Sequence, residues 1–147
     1  MKFTYNKEEL ETWLIANREK LLADSTFKAL IVEMKVAEDA GNVFTNSTGH
    51  DEVSSKGVRI ETKYTDSKQQ GNNLRIGNAG ESKRAGFDFL RIIDGYNQRI
   101  FEIPHDEYFS RANRHSSEFR WSSSYNETDK VQIGNTNLLL EYEITTA

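Results

Sequence analysis

The chain has no cysteine, one proline and no long hydrophobic run in its 147 residues. Without cysteine there is no disulfide framework and no thiolate metal site. No stretch approaches the ~18 consecutive apolar residues that a membrane span requires. The opening MKFTYNKEEL lacks the apolar centre of a secretory signal, so a cytoplasmic, intracellular setting is the expectation. Repeats, low-complexity tracts and a linker that would split the chain are also missing.

What remains is ordinary for a globular protein, with 29% charged and 36% hydrophobic residues. The length is that of one domain with a single core, 1–147. A net charge of −4 argues against a polyanionic partner, but the charge is unevenly spread. Residues 1–53 carry 6 basic and 10 acidic side chains, residues 54–120 carry 12 and 9, and residues 121–147 carry 1 and 4. The middle is basic between acidic flanks, and a polyanion responds to the local field.

The periodicity predicts two N-terminal helices. Leu10, Trp13, Leu14 and Leu21 recur on one face of KEELETWLIANREKLL, with Thr4 or Asn6 as its cap and Trp13 in the core. Asp24 or Ser25 caps a second helix, FKALIVEMKVAEDA, which Gly41 stops. Its apolar stripe is Phe27, Leu30, Ile31, Met34 and Ala37. Glu33 falls beside that stripe, where a carboxylate reaches a salt bridge, solvent or a cleft.

From Asn42 the pattern turns to strands: one or two short ones in VFTNSTGHDEVSS with a turn at Gly49, then GVRIETKYT. NLRIGNA reads as a short strand between the polar loops TDSKQQGNN and GESKRAG. The run FDFLRIID has the near-continuous apolar character of a strand buried on both faces. DGYNQ turns it into RIFEIP, which ends at Pro104, and HDEYFSRA follows as a short helix. FRWSSS, KVQI and NLLLEYEI are strand-like.

In GVRIETKYT, alternation places Val58, Ile60, Thr62 and Tyr64 on one face and Arg59, Glu61 and Lys63 on the other. A carboxylate and an ammonium on one strand face suit phosphodiester hydrolysis. A hard divalent cation prefers carboxylate oxygens, and a lysine can orient the attacking water or stabilise charge. A second carboxylate is required, and Asp51 across a β-turn can supply it. Each residue also has a plainer role: a solvated strand face for Glu61 and Lys63, a turn for Asp51, a salt bridge for Arg59.

A carboxylate on one strand followed by E-x-K on the next resembles the PD-(D/E)xK nuclease superfamily. So does the order helix 27–40, Asp51, Glu61-Thr62-Lys63 and the buried strand, over residues 25 to about 112. The resemblance implies a restriction-endonuclease-like α/β fold, a central mixed β-sheet flanked by helices. It implies a restriction- or homing-type endonuclease of bacteria or their viruses, cutting DNA with Mg²⁺, for which Mn²⁺ can substitute. Asp51 and Glu61 would hold the metal, Glu33 would match the helix glutamate found in many members, and Lys63 would be the catalytic lysine. The family's proline before the aspartate is replaced by His50. Asp51 is followed by Glu52, so a one-residue register decides which of them faces the metal.

Arg59, Lys68, Arg75, Lys83, Arg84, Arg111, Arg114 and Arg120 are the candidate DNA contacts. Those of SRANRHSSEFRWSSSYN lie among serines and aromatics, the mixture that phosphate and groove contacts use. A homodimer suits the cutting of both strands. The alternative is a catalytically inactive nucleic-acid- or protein-binding module on the same fold.

Overall fold

The computed structural model describes residues 6–47, 50–66, 74–77, 79, 86–113, 115–116, 118–121, 131–134 and 136–144. Lys68, Lys83, Arg84, Arg114 and the expected turn at Gly49 lie outside them. The protein is mixed α/β, with two mixed sheets and flanking helices. None of the described helices is long and apolar enough to cross a membrane.

Three helices open the chain: α1 (Lys7–Ala16), α2 (Arg18–Ala23) and α3 (Ser25–Asp39). Asn6 caps α1 by accepting from the Glu9 N–H at 2.9 Å, which satisfies one of the orphan donors of a helix start. The single helix expected over 7–22 is broken at Asn17. There the side-chain amide donates to the Trp13 carbonyl at 2.8 Å, a local bond that competes with helix continuation. No other described element packs closely on α1. Trp13, expected in the core, is therefore 51% exposed.

The second expected helix is α3, with its cap and its stop where the sequence puts them. Asp24 accepts from the Phe27 N–H at 2.9 Å. At the far end Gly41, with φ +73°, donates to the Glu38 carbonyl and Asn42 donates to that of Ala37. This paired closure needs a left-handed residue, which glycine supplies without strain.

The larger sheet has the order β1 (Val43–Ser47), β2 (His50–Val53), β3 (Arg59–Thr65), β5 (Phe89–Asp94), β6 (Arg99–Pro104). Its pairs are antiparallel except β3 with β5, which run parallel from Ile60 opposite Phe89 to Thr65 opposite Asp94. β5 lies inside the sheet between β3 and β6 and is buried along nearly its whole length, as its apolar run predicts. The β2–β3 turn is held by Ser54, whose hydroxyl accepts from the N–H groups of Lys56 and Val58, and by Gly57 at φ +80°. This turn sets Glu52 opposite Ile60 and Val53 opposite Arg59.

The second sheet was not anticipated. It has the order β4 (Leu74–Ile76), β9 (Val131–Ile133), β8 (Phe119–Trp121), β7 (Ala112–Asn113). α4 (His105–Arg111) buries Tyr108 and Phe109. The core joins both sheets and α4: Leu90, Ile92, Phe101 and Ile103 meet Leu74, Ile76, Tyr108, Phe119, Val131 and Ile133. NLLLEYEI, expected as strand, is mostly a 3-10 helix, Thr136–Tyr142, that drives Leu139 into this core. Glu143 alone makes a bridge, to Phe101.

Candidate active site

The β2–β3 turn sets Asp51 against β3. Beyond the Glu52–Ile60 pair, the Thr62 N–H donates to the Asp51 carboxylate at 2.8 Å. The side chain thus stands where a strand partner's carbonyl would otherwise accept. On β3, the Lys63 ammonium lies 2.8 Å from the Glu61 carboxylate, with the two side chains 14% and 5% exposed.

Glu33 joins them from α3, which packs on β1 and β3. Burial pushes its carboxyl up to about 7, and repulsion from Asp51 adds to this. Lys63 pulls the other way, while Glu61 and Glu52 reinforce the rise. Asp51, Glu61 and Lys63 all act on Glu33, so α3, β2 and β3 bring those three within electrostatic reach of its carboxyl. A cleft of about 960 Å³ opens between α2, α3 and the end of β3, and Asp51, Glu61 and Lys63 do not line it. Glu33 is on its wall, with Leu21, Phe27, Leu30, Tyr64 and Asp66.

By kind and by charge these side chains fit a hard divalent cation. The site gathers three carboxyl groups against one ammonium, and burial first, then repulsion from Asp51, holds Glu33 up. Among the described residues, however, no set of three or more Asp, Glu, His or Cys side chains is arranged to hold a metal as it stands. The Glu61 carboxylate is engaged by Lys63 and that of Asp51 by Thr62.

Glu52 has a different role from its neighbour. It is fully buried and accepts from Arg91 Nη1 and, at 3.0 Å, from Asn42 Nδ2. Arg91 also donates to Glu102 from Nε at 3.0 Å and Nη2 at 2.8 Å. Glu52 Oε2 and Thr62 Oγ1 are buried without a partner among the described residues. The register therefore gives Glu52 to a buried ion network and leaves Asp51 with β3. The sequence reading missed this network, although an arginine within FLRIID was its signal, because a buried guanidinium needs carboxylates.

The expected DNA contacts divide into two kinds. Arg59 is bound to Asp88, which accepts its Nη2 at 3.2 Å and its backbone N–H at 2.9 Å. That hydrogen bonding holds the Asp88 carboxyl below its usual range. Arg111 donates to Glu118 at 2.6 Å and lies 4.8 Å over the Phe119 ring, which makes it a brace for the second sheet. Arg75 and Arg120 are exposed.

No protein-family model matches this chain, and no curated protein is significantly similar to it.

Proposed function

We propose that the protein is a Mg²⁺-dependent endonuclease of the restriction or homing type, built on a restriction-endonuclease-like core. The observation that carries this reading is the meeting of Glu33, Asp51, Glu61 and Lys63 from a helix and two paired strands. Asp51 and Glu61, with Glu33 beside them, would hold the metal. When bound, the cation supplies neutralisation of the charge that develops on the scissile phosphate. Lys63 would orient a water against the phosphorus. Glu33, whose carboxyl burial holds up to about 7, would support the metal directly or through water. Cutting both strands of a duplex takes two such sites, so a homodimer belongs with this reading.

The test is nicking of supercoiled plasmid in Mg²⁺ or Mn²⁺ by the purified protein. Glu61→Ala and Lys63→Ala are expected to lower the rate at least ~100-fold, and chelation of the cation to abolish it. Equal nicking by both variants and the parent would remove these residues from the reaction. One observation favours a second reading, a catalytically inactive binding module on the same fold: the direct Lys63–Glu61 pair occupies the carboxylate a metal would need. It predicts salt-sensitive DNA binding with no nicking under any divalent cation.

A further inference from the structure

The arginines of the two sheets and α4 differ in one respect. Arg59, Arg91, Arg99 and Arg111 each hold a carboxylate. Arg75 and Arg120 hold none among the described residues. The Arg120 Nε–H donates to the Ser116 carbonyl at 3.2 Å, and both side chains are exposed.

The register of the second sheet sets these two arginines in one row. Arg75 on β4 and Arg120 on β8 are both opposite Gln132 of β9, and Asn113 of β7 is opposite Arg120. Directly opposed residues share a face, so Arg75, Gln132, Arg120 and Asn113 cross all four strands side by side. Leu74, Ile76, Val131, Ile133, Ala112 and Phe119 occupy the other face, and each is buried. Every described outward position of these strands is thus an arginine or a side-chain amide, and none is a carboxylate.

We propose that this outer face binds the phosphate backbone of duplex DNA. Guanidinium and amide N–H groups are the donors that phosphate oxygens take. Adjacent strands are about 4.8 Å apart, so the two arginines are anchored roughly 10 Å apart, close to the axial rise of three base pairs. Rigid strands fix that spacing. A row of this composition holds the backbone without reading bases, so the binding is sequence-independent and falls as salt rises. The choice of DNA rests on the nuclease reading, while the row itself does not.

Fluorescence anisotropy with a labelled duplex, in EDTA so that no hydrolysis occurs, tests the assignment. The Arg75→Ala/Arg120→Ala double variant is expected to weaken binding ~10–100-fold and to flatten the log K against log[salt] slope by about 2. Arg18→Ala, an exposed arginine on α2, is expected to leave both quantities unchanged. Unaltered affinity and slope in the double variant, or no duplex binding by the parent at low salt, overturns the proposal. A nicking assay on the same double variant keeps the two readings apart. Plasmid nicking with parental affinity in the double variant would sink the face and spare the nuclease. Lost affinity in a protein that never nicks would do the reverse.

Discussion

The Lys63 ammonium sits 2.8 Å from the carboxylate of Glu61, two positions back on the same strand, and both side chains are largely shielded from water. Neither charge is well solvated, so each depends on the other. Lys63→Met leaves Glu61 buried and uncompensated, and is expected to cost roughly 3 kcal/mol in urea unfolding. Adding Glu61→Gln should recover most of that loss. If the pair serves chemistry, the double variant regains stability but not nicking, which separates folding from catalysis in one set of proteins.

Glu33 predicts a pH dependence of stability. Its carboxyl is held up to about 7 from an ordinary 4.5, so the folded state binds this proton more tightly than the unfolded state does. The penalty is absent below about 4.5, grows between 4.5 and about 7, and is fully present above that. Allowing for partial solvent access, the size is roughly 1–2 kcal/mol. Without divalent cations, the parent is expected to lose that much stability relative to Glu33→Gln on going from acid to mildly alkaline pH. Parallel stability curves for the two proteins across this range would contradict the assignment.

Arg91 predicts a larger effect with no catalytic component. It bridges Glu52 and Glu102 from β5. Arg91→Met strands at least one buried carboxylate and is expected to cost about 3–5 kcal/mol by chemical denaturation. Arg91→Met combined with Glu52→Leu should return much of this, because similarly sized apolar groups can replace a buried ion pair.

The features legible in the sequence were those with local physical signals. Asn6, Asp24 and Gly41 mark helix ends because each satisfies backbone groups within a few residues. The β5–β6 hairpin and the depth of β5 follow from an apolar run with a turn behind it. Strand parity and helix angle together put Glu33 near Asp51, Glu61 and Lys63, and those three side chains act on its carboxyl. What stayed hidden depended on distant partners. β4, β8 and β9 read as strand-like, but their joining into a second sheet, and the two-residue β7, left no local mark. Trp13 carries a core-like pattern, but nothing in its own segment shows whether another element will cover it. The separation of Asp51 from Glu52 depends on Arg91, far along the chain.

The parallel union of β3 with β5 has a kinetic consequence. Asp51 and Glu61 belong to a hairpin closed by a short loop, which forms on the microsecond scale. The β5–β6 hairpin is equally local. Docking one hairpin on the other must first close the stretch from Asp66 to Asp88, and that entropy is lost before any contact compensates for it. Arg91 reaches Glu52 across this same junction. The acid pair on β2 and β3 is therefore set early, whereas the buried ion network waits for the slowest collision in the sheet.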